Sequence, residues 1–238
     1  MVVKKEMDKL KARHELKYLV TSAQIAILKS RISSIVAPDP HVGATGKYNI
    51  SSLYFDDYYN HCFYDGENGT DPREKFRIRI YNHSKERITL ELKKKIRGKT
   101  IKESSPLTLE QTYQLMKKEC ITDIKNQSTL LQNLTLEMAQ HLLRPVVIVE
   151  YDRYPFVYKN GNVRITFDTN VSSSAMIADF LDGKYLKRPV MPVGLHLLEV
   201  KFDEYLPDFI HSALQLENLQ QTAYSKYNLC RKYNIKGE

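Results

Sequence analysis

The stretch EKFRIRIY, residues 74–81, decides how this chain folds. Successive side chains of a β-strand point to opposite faces, so a strand here would sort its residues into two sets. The cations share one face: Lys75, Arg77 and Arg79. The apolar side chains share the other face: Phe76, Ile78 and Ile80. The pattern therefore predicts a strand with one buried face and one strongly basic face.

The same alternation recurs in four other stretches of the chain. These are RHELKYLV (13–20), TLELKKKI (89–96), NVRITFDT (162–169) and HLLEVKF (196–202). Each has one apolar face and one face of mixed but mainly basic charge. A half-solvated antiparallel sheet is common and would explain any one of these strands.

Repetition over five strands weakens that ordinary interpretation, because like charges on neighbouring strands repel. An anionic ligand would compensate them. We therefore predict that the sheet closes into a barrel whose lumen is the charged face. The few carboxylates among the bases could hold a divalent metal, and oxygen ligands suit Mg²⁺ or Mn²⁺.

Composition limits the class of protein without naming its ligand. The chain has 238 residues, 42% hydrophobic and 27% charged, which is typical of a globular protein with a sizeable core. Its net charge of +8 predicts an anionic partner but leaves nucleic acid, a lipid surface and a phosphorylated small molecule open. The three scattered cysteines indicate neither a disulfide framework nor a zinc site and fit a reducing cytoplasm.

The remaining segments separate into helices and strands by their apolar spacing. Helices are predicted within residues 22–36, 58–72 and 107–143 and in two segments after residue 205. Further strands are predicted at 48–57, 99–106, 144–158 and 162–171, the last two forming a hairpin. This order is typical of one α+β domain rather than a parallel βαβ array. Because Pro155 permits a bulge, the faces of Glu150, Asp152 and Arg153 stay unassigned.

Several ordered motifs resemble one known family. They are RHELKY, SLYFDD, KFRIRIY, LELKKK, EYDRYPF, VRITFDT, LLEVKF and YSKY, and they run from about Arg13 to about Tyr233. The family is the VTC domain, the polyphosphate polymerase domain of the vacuolar transporter chaperone complex, with its bacterial stand-alone relatives. It lies within the triphosphate tunnel metalloenzymes, the CYTH-like group. The resemblance implies an antiparallel eight-stranded β-barrel with helices packed outside and a C-terminal helix closing the tunnel. It also implies a single domain over residues 1–238, with its core at about 10–235.

The resemblance implies a function as well. In polymerase members the terminal phosphate of ATP passes to a growing polyphosphate chain inside the basic tunnel. The expected activity is a metal-dependent phosphoryl transfer, with Mn²⁺ or Mg²⁺ as cofactor and ATP and inorganic phosphate or polyphosphate as partners. We expect a cytoplasmic protein with no nucleic-acid partner and no direct membrane insertion, so that any export would need a separate membrane partner.

Site residues are carried over from the family residue by residue. Catalytic cations are expected at Lys17, Arg77, Arg79, Lys93, Lys201 and Lys226. Further phosphate-binding residues are expected at Arg13, Lys75, Lys95, Arg153, Arg164 and Ser225. The expected metal ligands are Glu199, Glu15 and Glu91. Thr166 and Asp168 share a face with Arg164 and are expected to have structural or supporting roles.

The chain departs from the family at two positions. Arg13 replaces the first acid of the ExExK motif, so the set of metal ligands is thinner than in the triphosphate hydrolases. Ala223 stands where the closing motif often carries a second base. The first departure is compatible with the polymerase branch of the family.

Three other functions stay open at this point. A water could attack instead of a phosphate, which would make the protein a triphosphate or polyphosphate hydrolase. The protein could also bind polyphosphate without turnover. A nucleic-acid binder is the least favoured, because the bases alternate along strands instead of forming an exposed stripe. The sequence shows no glycine-rich phosphate loop, which argues against a P-loop mechanism.

Overall fold

The computed structural model describes residues 13–216 and 219–235. The strands are β1 (His14–Thr21), β2 (Ala37–Pro38), β3 (Tyr48–Asp56), β4 (Arg73–Tyr81), β5 (Ile88–Ile96), β6 (Lys99–Leu107), β7 (Arg144–Tyr158), β8 (Val163–Ser174), β9 (Arg188–Pro189) and β10 (Leu195–Phe202). The helices are α1 (Ser22–Ser33), α2 (His61–Glu67), α3 (Leu109–Met116), α4 (Thr129–His141), α5 (Asp208–Leu214) and α6 (Lys226–Ile235). Within the described ranges, none of these helices is both long and apolar enough to cross a membrane.

The eight longer strands follow the order β1–β10–β8–β7–β3–β4–β5–β6, and the two-residue strands β2 and β9 pair with β7 and β8. Every strand pair with a described register is antiparallel. The predicted eight-stranded antiparallel α+β fold is therefore confirmed.

The described chain divides into two compact units. Unit A contains residues 13–49, 151–171, 191–216 and 219–224, and unit B contains residues 50–150, 172–190 and 225–235. Strands β3, β7 and β8 each contribute residues to both units. The expectation of a single domain stays a prediction.

Unit A buries the apolar face of β1, β8 and β10 against α1 and α5. Its core contains Val20, Ile25, Leu28, Ile32, Ile165, Phe167, Leu198, Val200 and Ile210. Strand β1 passes directly into α1 at Thr21, whose side chain accepts the Gln24 N–H at 3.2 Å. The Gln24 side chain in turn accepts the Thr21 N–H at 2.8 Å, which completes a capping box. A cap of this kind contributes about 1 kcal/mol and fixes where the strand ends.

Unit B buries the apolar face of β4 and β5 beneath α3 and α4. Its core contains Phe76, Ile78, Ile80, Leu90, Leu92, Leu115, Leu130, Leu131 and Leu134. In both units most of the residues predicted to be apolar partners of the charged face lie in the core, and Leu16, Tyr18 and Phe202 pack against it partly buried. The alternation read from EKFRIRIY is therefore confirmed, and the opposite face is left to the charged side chains.

The structure also shows on which face of β7 the charged residues near Pro155 lie, a question that the sequence left open. Strand β7 is assigned without interruption from Arg144 to Tyr158, and the Pro155 carbonyl accepts the Asp39 N–H at 3.0 Å. Glu150 and Asp152 therefore lie on the face opposite Arg153. The predicted helical region 107–143 resolves into α3, a short 3₁₀ turn at Ile124–Asn126, and α4.

Candidate functional site

The charged face of unit A alternates the sign of its charges from strand to strand. In the register of β1 and β10, Glu15 lies opposite Lys201 and Lys17 lies opposite Glu199. Opposite charges directly across an antiparallel pair stabilise it. This face therefore neutralises much of its own charge within the sheet.

The side-chain contacts in unit A centre on Lys201. Its Nζ lies 2.9 Å from the Glu199 carboxylate and 3.5 Å from that of Glu15. Lys17 Nζ lies 3.5 Å from the same Glu15 oxygen and donates to the Tyr224 carbonyl at 2.8 Å. The expected catalytic lysines and metal-binding glutamates of this unit are thus brought together.

Arg153 is the buried cation of unit A. Its guanidinium donates two hydrogen bonds of 2.7 Å to Asp168 and lies 3.5 Å from Glu199. Burial opposes the charge of Arg153, yet the carboxylates of Asp168 and Glu199 raise its pKa above the usual value. The structure therefore gives Arg153 a carboxylate partner, and its phosphate-binding role stays a prediction.

Two more expected phosphate-binding arginines of unit A also have acidic partners. Arg164 donates to Asp39 at 2.6 Å and to the Tyr48 hydroxyl at 2.9 Å. Arg13 lies 3.0 Å from Asp203 and is partly exposed at the end of β1. Sequence reasoning missed Asp39, which is 125 residues away from the arginine that it orients.

Glu15 and Glu199 are the acids of unit A that could hold a metal ion. Both contact the Lys201 ammonium, so their carboxylates lie close together. Mg²⁺ is often held by one or two carboxylates, with phosphate oxygens and water as its other ligands, and this pair fits that arrangement. No group of three or more His, Cys, Asp or Glu side chains suited to a metal occurs in the described part of the chain.

The charged face of unit B places like charges side by side. Lys75 lies opposite Lys93 in the register of β4 and β5, and Lys93 lies opposite Lys102 in that of β5 and β6. Two residues further along the two strands, Arg73 lies opposite Lys95. We call Lys75, Lys93 and Lys102 the lysine row. Sequence reasoning missed Lys102, although β6 was predicted as a strand.

Glu91 is the acid at the centre of the unit B face. Arg77 donates to its carboxylate at 2.7 and 2.5 Å, Lys102 donates at 3.1 Å, and Arg79 lies 3.6 Å away. Burial by itself raises the pKa of a carboxyl group, but the three cations outweigh it and hold the pKa of Glu91 well below its usual range. Glu91 therefore orients the two arginines, and its expected metal-binding role stays a prediction.

The C-terminal helix α6 supports the lysine row. Asn228 Oδ1 accepts a 2.7 Å hydrogen bond from Lys75, and the Lys75 ammonium lies 4.4 Å from the centre of the Tyr227 ring. The Asn228 amide nitrogen donates to the Phe63 carbonyl at 3.1 Å and to Glu67 at 3.0 Å. Helix α6 therefore orients a cation of β4 through a side chain that the sequence did not identify.

Two expected site residues lie at the start of α6. The Ser225 hydroxyl accepts the Asn228 N–H at 3.3 Å and donates to the Asn228 side chain at 2.9 Å, so it caps the helix. Lys226 is the first residue of the helix and is partly buried. Tyr227, which follows it, is buried and donates its hydroxyl proton to Asp56. The capping contact gives Ser225 a structural task, and its phosphate-binding role stays a prediction.

Tyr227 also links α6 to the arginines. Its ring lies 5.1 Å from that of Tyr54, and the Tyr54 hydroxyl accepts a 2.7 Å hydrogen bond from Arg77. The signal that could have identified these tyrosines is their position: Tyr54 lies in SLYFDD and Tyr227 ends YSKY, two of the motifs that carry the family resemblance.

Comparisons with known proteins place the chain in a family. The model of the family described as VTC domain matches residues 12–234, which is nearly the whole chain. A comparison with curated proteins found no match.

Several solved structures resemble the chain at low identity. A proposed adenylate cyclase from Bacillus halodurans is 15% identical, with a TM-score of 0.47 and 84% of each chain covered. A proposed adenylyl cyclase from Hippeastrum, reported to have a dominant triphosphatase activity, is 12% identical, with a TM-score of 0.48 over 93% of this chain and 96% of that one. The Mimivirus capping enzyme triphosphatase is 12% identical, with a TM-score of 0.36 over 90% and 92%. Likenesses this distant do not decide an activity.

The family match agrees with the ordered motifs from RHELKY to YSKY and with the observed antiparallel sheet. It covers every residue expected in the site, from Arg13 to Lys226. The chain belongs to the VTC-domain family.

Proposed function

We propose that this protein transfers the terminal phosphate of ATP to a growing inorganic polyphosphate chain. The observation that carries the proposal is the lysine row of unit B, where three lysines lie opposite one another in the register of three neighbouring strands. Neighbouring strands are about 4.8 Å apart, so these side chains repel one another. An oligophosphate carries one negative charge after another along its length and would relieve this repulsion.

The arginines beside the lysine row support the same substrate. Arg77 is held by Glu91 and Tyr54, and Arg79 donates to Ser52 at 3.2 Å. A guanidinium held in this way is a planar fork of fixed orientation, and such forks match the geometry of phosphate oxygens. Preorganised donors of this kind stabilise charge that develops during phosphoryl transfer.

The reaction that this arrangement would support needs no protein nucleophile. An oxygen of the acceptor phosphate would form a bond to the γ-phosphorus of ATP while the bond to the β–γ bridging oxygen breaks and ADP leaves. The cations would neutralise the charge on the attacking and leaving oxygens and hold both phosphates in line. Glu15 and Glu199 would hold a bound Mn²⁺ or Mg²⁺, which supplies further neutralisation of phosphate oxygens.

The partners of this function are ATP and inorganic phosphate or polyphosphate, and we place it in the cytoplasm, where ATP is available. Any export of the product would need a separate membrane partner. The cations expected to take part lie in both units: Lys17 and Lys201 belong to unit A, and Arg77, Lys93 and Lys226 belong to unit B.

The test is a synthesis assay with ATP, Mn²⁺ and pyrophosphate as primer, followed by gel detection of long phosphate chains. The wild type should make chains, and Lys201→Ala and Glu199→Ala should lose most of the activity. Lys94→Ala is the matched control, because Lys94 lies on the opposite face of β5 and pairs with Glu103 at 3.2 Å. Unchanged synthesis in both site variants would refute the site.

The same assay separates the alternatives. Release of orthophosphate without chain growth would make the protein a hydrolase. Tight binding of polyphosphate with no consumption of nucleotide would make it a binding module.

A further inference from the structure

Strand β8 carries two buried polar atoms that have no hydrogen-bond partner. They are Oγ1 of Thr166 and Nε of Arg164. Thr166 is only 1% exposed. Nearly all buried polar groups in folded proteins are hydrogen-bonded, and an unpaired one costs about 1–3 kcal/mol. Two such atoms only two residues apart therefore mark a place where a ligand would supply hydrogen bonds that the protein does not.

Both residues lie on the charged face of unit A. Thr166 lies opposite Glu199, and Arg164 lies opposite Lys201, in the register of β8 and β10. Their side chains therefore lie beside the Glu199–Lys201 ion pair. This is the face on which Lys17 and Glu15 also lie.

The chemistry of the two atoms restricts what could satisfy them. An arginine Nε carries one N–H and can only donate, and a threonine hydroxyl can donate as well. An acceptor oxygen is the kind of partner that both atoms can bind. The neighbouring ammonium of Lys201 and the guanidinium of Arg164 favour an oxygen with negative charge.

We propose that Thr166 and Arg164 Nε–H form a subsite for one phosphate oxygen of a bound oligophosphate. The inference rests on the proposed function and assigns a direct binding role to Thr166, which the sequence placed among the supporting residues. An arriving phosphate competes with Glu199 for Lys201 and with Asp39 for Arg164, and these are the two ion pairs beside the subsite.

The subsite has a consequence for stability. In the ligand-free protein the unpaired hydroxyl of Thr166 is a cost, so replacing it with a methyl group of the same shape removes that cost. Thr166→Val should therefore raise the unfolding midpoint of the free protein and weaken oligophosphate binding. A residue with only a structural role would not change these two properties in opposite directions.

The experiment measures tripolyphosphate binding by isothermal titration calorimetry and urea unfolding of the free protein. Thr166→Val should bind about tenfold or more weakly, as expected for one hydrogen bond to a charged group. Thr166→Ser keeps the hydroxyl and should bind within about threefold of wild type. Thr135→Val is the matched control: Thr135 is buried on α4, and its hydroxyl donates to the Leu131 carbonyl at 2.9 Å. That variant should lose stability and keep its affinity.

The outcomes are distinct. If wild type binds tripolyphosphate and Thr166→Val binds equally well, the subsite is refuted and the proposed function stands. If Thr166→Val and Thr166→Ser lose affinity equally, the hydroxyl is not the binding group, and the subsite is again refuted. If wild type does not bind tripolyphosphate at all, the proposed function fails and the subsite fails with it.

Discussion

Units A and B use the same strand pattern to build two different distributions of charge. In unit A each cation of the charged face lies opposite or beside a carboxylate, as Lys201 does with Glu199 and Glu15. In unit B three lysines lie side by side, and a single carboxylate, Glu91, contacts three cations. Unit A therefore pairs opposite charges across its strands, whereas unit B places lysines opposite one another.

The difference shows that the charged residues of the motifs have two roles, fold stabilisation and anion binding, which the sequence alone does not distinguish. Charges paired within the sheet stabilise the fold and are costly to break. Crowded like charges are unfavourable in the free protein and become favourable only when an anion is bound. Removing one partner of a buried ion pair in unit A should therefore lower stability, whereas removing one lysine of the lysine row should lower ligand binding without lowering stability.

The largest expected effect is on stability in unit A. Arg153→Met leaves the buried Asp168 without its bidentate partner and should cost about 3–5 kcal/mol of unfolding free energy. Urea unfolding at pH 7 measures it. The double variant Arg153→Met, Asp168→Leu removes both charges and should recover most of the loss. A cost below about 1 kcal/mol for the single variant would show that unit A does not depend on this pairing.

The next effect is on ligand binding in unit B. Lys93→Ala should lower chain synthesis about 100-fold, as removal of a preorganised cation does in other enzymes. It should not lower the stability of the free protein, because it relieves the repulsion within the lysine row. Lys94→Ala, on the other face of β5, should leave synthesis within about twofold. If Lys93→Ala lost as much stability as Arg153→Met, the proposed difference between the charged faces of the two units would be wrong.

Lowering the pH should show how much Glu91 contributes to the unfolding free energy. Its pKa is lowered in the folded state, so its contribution to stability is present above the unfolded pKa of about 4.3 and is lost as the pH falls through the folded pKa. Wild type should lose about 2 kcal/mol more than Glu91→Gln between pH 7 and pH 2 in urea unfolding.

Glu103→Gln serves as the acidic control for this comparison, since Glu103 pairs with Lys94 on the opposite face and is partly exposed. Exposed pairs contribute about 0–1 kcal/mol, so Glu103→Gln should change the unfolding free energy at pH 7 by no more than that. Equal pH profiles for wild type and Glu91→Gln would show that the cations around Glu91 do not stabilise the fold.

A smaller effect is expected at α6. Asn228→Ala removes the acceptor of Lys75 and leaves the Phe63 carbonyl without its amide donor, which should cost about 1–2 kcal/mol of stability and several-fold in tripolyphosphate affinity. Asn228→Asp keeps an acceptor for Lys75 and should retain the affinity while losing stability. If both variants bind alike, α6 does not orient the lysine row.

The smallest effect is expected at Arg13. Its contact with Asp203 is partly exposed, and pairs of this kind contribute about 0–1 kcal/mol. Arg13→Ala should change tripolyphosphate affinity less than about threefold. A loss of tenfold or more would restore the phosphate-binding role that the family resemblance gives to Arg13.

Much of the fold could be predicted because the signals are local. Alternation in five short stretches identifies β1, β4, β5, β8 and β10 and the buried face of each, since the period of two is a property of any strand. The capping box of Thr21 and Gln24 at the start of α1 is local chemistry of the same kind. The sheet order could not be read in this way, because β10 lies beside β1 although most of the chain separates them.

The site was predicted less completely, for a related reason. The motifs identified the cations but not the groups that orient them, such as Asp39 for Arg164 and Asn228 for Lys75, which are 125 and 153 residues away from their partners. The sequence did not identify Lys102 as part of the lysine row, because the position of Lys102 beside Lys93 depends on the register of β5 and β6. That register is set at a turn where the Asp71 carboxylate accepts the N–H groups of Arg97 and Gly98.

The sequence by itself determined which side chains face the core and which carry charge, because strand geometry turns a two-residue repeat into two faces without help from the rest of the molecule. Only the tertiary structure decided which charges are paired and which are crowded. Those relations depend on the register between strands and on partners brought from distant segments. Electrostatic energy changes with every ångström of separation, whereas burial of an alternating apolar face does not depend on which strand lies beside it.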